Sequence, residues 1–155
     1  MILWWLLAVV IIVIDHVVKF WVVNNIGTID TIKVIPGVLD FVYVKNTGAA
    51  FSFLADKNYG IIILSLISLA FCVGVIVFLI KRRPKNKLLM TSIMLMFAGA
   101  FGNAVDRIFR RFVVDFIEVK FIDFPVFNIA DISITIGAAL LIIYILFFEK
   151  KSIND

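Results

Sequence analysis

Asp115 and Asp131 are the residues of this sequence best suited to chemistry. Asp115 interrupts an apolar run, with Val113 and Val114 before it and Phe116 and Ile117 after, and Asp131 opens the apolar run 132–148. A carboxylate in or beside such a stretch is costly to place in lipid, so its presence points to a site. If the two converge in a low dielectric, both cannot stay ionised, and one pKa rises. A pair that shares one proton does acid and base work together. The ionised carboxylate draws a proton from water as it attacks an amide. The neutral one hydrogen-bonds the carbonyl oxygen on which charge builds. The two come from different segments, so spacing alone does not show that they meet. Asp131 also has a simpler reading, as a first-turn charge facing the helix dipole, and its neighbour Asn128 has one as an N-cap. A lone Asp in an apolar run, as Asp115 is, is hard to explain as a solvated surface charge.

Other chemistries are poorly provided for. The chain has one His and one Cys, His16 and Cys72, in different spans and at different depths, and it offers no metal-ligand spacing. No metal and no cofactor is expected. A Ser-based mechanism through Ser133 needs a base within reach, and Lys19 is the only candidate. Cys72 lies in an apolar run and reads as a small core residue.

The elements that position the two carboxylates follow from composition and run length. The 155 residues are 63% hydrophobic and 17% charged, with 16 Phe, and the mean hydropathy is +1.13. That leaves too little polar surface for a soluble globule, so the solvent is lipid. We expect one integral-membrane domain over 1–155. It has four spans at about 2–23, 59–80, 88–108 and 128–148, extracytoplasmic segments 24–58 and 109–127, and a cytoplasmic loop 81–87. The first apolar run lacks a basic start and a small-residue cleavage site, so it reads as a retained span. KRRPKNK (81–87) puts five basic residues into seven. With EKK (149–151) it sets both termini on the cytoplasmic side. The net charge of +4 comes largely from such clusters, and nucleic acid is not an expected partner.

Between the first two spans, IDTIKVI (29–35) and LDFVYV (39–44) flank a Pro36-Gly37 turn and read as two short strands. KNTGAAF (45–51) follows. Its Gly48 lets another backbone approach and its Asn46 both donates and accepts, although an ordinary loop has the same composition. The mixed basic and aromatic segment 108–127 is expected to lie along the outer surface as an amphipathic stretch.

The spans carry their polar residues at one end. Asp15 and Lys19 are spaced i,i+4 near the end of the first, where they form either a structural ion pair or part of a site. Gly99, Asn103, Asp106 and Arg107 share one face near the end of the third. Asn128, Asp131 and Thr135 share a face at the start of the fourth. All three sets lie opposite KRRPKNK, and one shared cavity at the outer face accounts for them. On these residues alone three readings stay open: an intramembrane enzyme, a proton-coupled transporter and a non-enzymatic scaffold. Transport calls for polar residues at mid-membrane and on both sides, and a scaffold leaves Asp115 and Asp131 without a role.

Five motifs occur together, in order: DHVVK (15–19), NTGAAF (46–51), GNAVDR (102–107), VVDF (113–116) and FNIAD (127–131). With the four-span pattern, they resemble lipoprotein signal peptidase, the bacterial type II signal peptidase. The resemblance covers nearly the whole chain. It implies a four-transmembrane-helix bundle with a small extracytoplasmic β-cradle and a surface amphipathic segment. It implies an aspartyl endopeptidase without metal, which cleaves bacterial prolipoproteins before a diacylglyceryl-modified cysteine. The catalytic pair falls on Asp115 and Asp131. Asn46, Gly48, Asn103, Arg107 and Asn128 fall on positions that line or support the substrate pocket, Asp15 and Lys19 on a supporting pair, and Asp106 on a structural Asp. His16 departs from the pattern, where Gln is more usual. The partners implied are lipid-modified prolipoproteins and membrane lipid. The expected form is a monomer in the bacterial cytoplasmic membrane, with its site near the outer face.

Overall fold

The computed structural model describes residues 1–28, 30–48 and 59–148. Among them are four helices long and apolar enough to cross a membrane: α1 (Ile2–Asn25), α2 (Gly60–Arg82), α3 (Lys87–Arg110) and α4 (Ile129–Phe147). Three strands, β1 (Ile32–Ile35), β2 (Leu39–Asn46) and β3 (Val113–Val119), form one antiparallel sheet in the order β1-β2-β3. The helices fall within two residues of the expected spans. The EKK cluster and residues 49–58 of the expected extracytoplasmic segment lie outside the described residues, as does Ile29.

Helix α3 is the centre of the bundle. Of its most apolar stretch 56% is buried in protein, against 22% for α1 and 17% for α2 and for α4. The other three turn Leu, Ile, Val and Phe outward, as lipid-facing helices do. The ordinary rule of apolar inside is relaxed here, and the buried helix is the one that carries Asn103 and Asp106.

The most extensive helix contact, α3 with α4, depends on two glycines. A Cβ on Gly99 would overlap the Ala130 carbonyl oxygen and come within 2.6 Å of Ile134 Cγ1. A Cβ on Gly137 would lie 2.7 Å from Met96 Cγ and 2.8 Å from the Ser92 carbonyl. One small residue on each helix thus brings the backbones together, the usual solution where lipid supplies no hydrophobic drive. Gly99→Leu is expected to destabilise the protein by about 3 kcal/mol, read as a lower melting temperature in detergent. An unchanged melting temperature would mean that the two helices can part there without loss.

The hairpin turns at Gly37, whose φ of 75° suits glycine, and the Val38 N–H donates to the Ile35 carbonyl at 2.9 Å. Strand β2 pairs along its far edge with β3, placing Val44 opposite Asp115 and Asn46 opposite Val113. This corrects the expectation for 108–127. Helix α3 continues to Arg110, and residues 113–119 are a strand, buried over 113–117, whereas residues 120–124 do lie exposed at the surface. The physical reason is that β3 is covered on both sides. Val114 and Phe116 pack with Val22 and Ile26 at the end of α1. Val113 and Asp115 face a cavity. A strand buried on both faces shows no alternation to read.

Candidate active site

Five elements send polar side chains to one end of the bundle. Lys19, from α1, is the hub, and no part of it reaches solvent. Its Nζ lies 2.8 Å from Asp15 Oδ2 one turn away and 2.9 Å from Asp106 Oδ2 on α3. It also donates to Asn103 Oδ1 at 3.0 Å. Asp15 in turn accepts the Ala130 N–H at 3.0 Å, which ties α1 to the first turn of α4. Asp106 takes a second cation, Arg110 Nε at 3.3 Å, and accepts the Val114 N–H at 3.4 Å. These two carboxylates are therefore neutralised in place, as buried charges must be.

Asp115 and Asp131 are held differently. Among the described residues neither forms an ion pair; both are held by amides. Asp115, 2% exposed on β3, accepts Asn46 Nδ2 at 2.8 Å and Asn128 Nδ2 at 2.6 Å, one on each oxygen. Asp131 accepts Asn103 Nδ2 at 2.8 Å and the Asn128 backbone N–H at 3.1 Å. Asn128 Oδ1 accepts the Asp131 N–H at 2.9 Å, which closes a reciprocal cap on α4. Asn128 thus touches both carboxylates at once. The simpler reading of Asn128 as a cap is correct, and the same side chain that caps α4 through Oδ1 reaches Asp115 through Nδ2.

Both carboxylates line a cavity of about 970 Å³, together with Asn46, Asn103 and Arg107. Arg107 reaches across the cavity and donates through Nη2 to the Gly48 carbonyl at 3.3 Å. Gly48 is fixed from its other side, its N–H donating to Asn46 Oδ1 at 2.9 Å. Phe124, Pro125, Val126, Ile132 and Ile136 give the cavity an apolar wall. The site residues that the family resemblance implies fall in this assembly. Asp15 and Lys19 stand behind it, Asn46, Asn103, Arg107, Asp115 and Asp131 line the cavity, and Asn128 and Gly48 are hydrogen-bonded to lining residues. Ser133 does not belong to it, since its hydroxyl donates to the Leu95 carbonyl at 2.9 Å. Sequence reasoning missed Lys45, which also lines the cavity and whose Nζ sits 5.3 Å from the Phe112 ring and 5.7 Å from that of Tyr43. Its position between aromatic residues was the available signal.

The environment of Asp115 favours its protonated form. Burial, then the nearby charge of Asp131, pushes its pKa from 3.8 up to about 6, against the hydrogen bonds from Asn46 and Asn128. A raised carboxyl pKa means that the folded chain keeps a proton the unfolded chain has lost. The stability from this group is complete below pH 3.8, falls as pH rises towards about 6, and is level above that. Asp115→Asn removes this component. The melting temperature of the variant relative to wild type should therefore rise between about pH 4 and pH 7. Parallel pH profiles would mean that Asp115 titrates as an ordinary carboxylate.

Comparison with known proteins gives concordant results. The family described as Signal peptidase (SPase) II matches residues 7–147. The lipoprotein signal peptidase of Streptococcus thermophilus is 40% identical over 129 residues, 83% of this chain and 82% of that one. That of Lactococcus lactis subsp. lactis is 43% identical over 145 residues, 91% and 94% of the two chains. A bacterial membrane enzyme solved by the in meso method at 2.3 Å resolution superposes with a TM-score of 0.86 and is 36% identical, covering 92% of this chain and 87% of that one.

Proposed function

Because the chain belongs to the signal peptidase II family, we propose that it is an aspartyl endopeptidase that removes the signal peptide from diacylglyceryl-modified prolipoproteins. The observation that carries this reading is the contrast between the two pairs of carboxylates. Asp15 and Asp106 are balanced by two cations, Lys19 between them and Arg110 on Asp106. Asp115 and Asp131 are bridged by Asn128, have no cation of their own among the described residues, and face the cavity. Such a pair holds one proton between two groups, and that proton belongs to the pair.

The reaction then runs as follows. The ionised carboxyl accepts a proton from water while the water oxygen bonds to the scissile carbonyl carbon. The protonated carboxyl hydrogen-bonds the carbonyl oxygen as charge develops there. Collapse of the tetrahedral carbon breaks the C–N bond, and the leaving amine takes a proton from the pair. Arg107 and Asn46 hold the substrate backbone, and the apolar wall at Phe124, Ile132 and Ile136 receives lipid. All of these residues come from one chain, so a monomer suffices.

The protein is a multi-pass protein of the bacterial cytoplasmic membrane. KRRPKNK and both termini face the cytoplasm on this reading, and the pair lies near the outer face. The deciding assay uses full-length protein in detergent with a diacylglyceryl-modified prolipoprotein. A non-lipidated precursor and a chelator serve as controls. Cleavage of the lipidated substrate alone, indifferent to the chelator, is expected. A folded protein that leaves it intact overturns the proposal, and inhibition by the chelator replaces the dyad with metal chemistry.

A further inference from the structure

We propose that the opposite end of the bundle holds a binding site for one anionic glycerophospholipid. A cavity of about 640 Å³ opens there between the start of α1 and the end of α2, and its lining includes Trp4, Trp5, Ile76, Ile80, Arg83 and Lys85. The two helices both pack along α3 but barely against each other. The gap between them is bounded by a buried apolar cluster to which all three helices contribute.

The lining divides by chemistry. Arg83 and Lys85 have no acidic partner among the described residues, and neither do their neighbours Lys81, Arg82 and Lys87. Helix α2 ends at Arg83 in a left-handed turn, its N–H donating to the Leu79 carbonyl at 3.1 Å. The guanidinium is thus carried at the point where the chain leaves the helix. The indole N–H groups of Trp4 and Trp5 donate to no protein group among the described residues. Trp5 is itself set in place, edge-on to Phe97 with ring centroids 5.3 Å apart. Two cations and two indole donors make a receptor for a phosphodiester and the ester oxygens beside it. Ile76 and Ile80 are exposed on the lipid-facing side of α2 and continue the site towards acyl chains. A soluble anion uses only the polar half of this lining. A zwitterionic lipid brings its own cation against Arg83 and Lys85. An anionic lipid satisfies both halves, and basic pockets between helix ends commonly select such lipids.

The test uses full-length protein in dodecyl maltoside, titrated with phosphatidylglycerol, phosphatidylcholine or inorganic phosphate. Retained lipid is counted by native mass spectrometry, and melting temperature is followed in parallel. One phosphatidylglycerol per protein should be retained, with a rise in melting temperature that the other two ligands do not give. Arg83→Gln with Lys85→Gln should weaken retention roughly tenfold. Lys33→Gln with Lys120→Gln, an equal loss of charge on the sheet, should leave it unchanged. The site is overturned if the Arg83/Lys85 variant retains lipid as wild type does, or if the two double variants lose it equally. Equal protection by inorganic phosphate makes it an adventitious ion site, and equal retention of phosphatidylcholine removes the charge selectivity. Retention is read without cleavage, so the result stands apart from that of the protease assay.

Discussion

Asp115→Asn and Asp131→Asn, made separately, should each lower the rate of prolipoprotein cleavage by about 10⁴-fold. The size follows from the double duty of each carboxyl. An amide in place of either removes the shared proton, so the water loses its base and the carbonyl oxygen loses its donor in the same step. Because the pair acts as a unit, the double variant should be scarcely slower than either single one. Single-turnover cleavage of a lipid-modified precursor measures this, with melting temperature as the check on folding. Substrate capture should survive, since the apolar wall and Arg107 remain. If both variants cleaved normally the dyad would be wrong. Asp15 and Asp106 would be poor replacements, because Lys19 already holds both.

Lys19→Met is expected to cost about 3–5 kcal/mol of stability. The methionine fills a similar volume, so the loss comes from charge. Asp15 and Asp106, buried to within 1% of full burial, are left facing each other without the cation between them. Thermal unfolding in detergent gives the direction. Adding Asp15→Asn and Asp106→Asn to Lys19→Met should recover most of the loss, since a neutral cluster leaves no uncompensated charge. A Lys19→Met protein as stable as wild type would show that water or a proton neutralises the two acids. The variant should also lose activity beyond its loss of stability, because Lys19 anchors Asn103 and Asn103 orients Asp131.

Much of this arrangement was legible because membranes impose strict lengths. The apolar run from Leu88 ends too soon to cross, which forced Asn103, Asp106 and Arg107 to membrane depth. The i,i+4 spacing of Asp15 and Lys19 put them on one face, and the structure pairs them at 2.8 Å. What spacing could not supply was the third dimension. Nothing local to Lys19 indicates Asp106, because their contact joins α1 to α3. Nothing local to Asp115 indicates Asn46, because that contact depends on the register of β2 against β3. β3 itself was hidden because its residues 113–117 are buried on both faces and show no alternation. For Asn128 the sequence offered a cap or a site as alternatives, whereas the geometry makes the two roles one.

The sheet order has a consequence for how the protein is made. β1 and β2 are neighbours in sequence, but β3, which pairs with β2, lies beyond α2 and α3. A chain emerging from the ribosome therefore synthesises the hairpin early and must hold its outer edge open while two membrane helices are inserted. Only then can Asp115 come into register with Val44, and Asp131 follows later still. Biogenesis thus delivers the two carboxylates late, and no nascent chain that stops before α4 contains the pair.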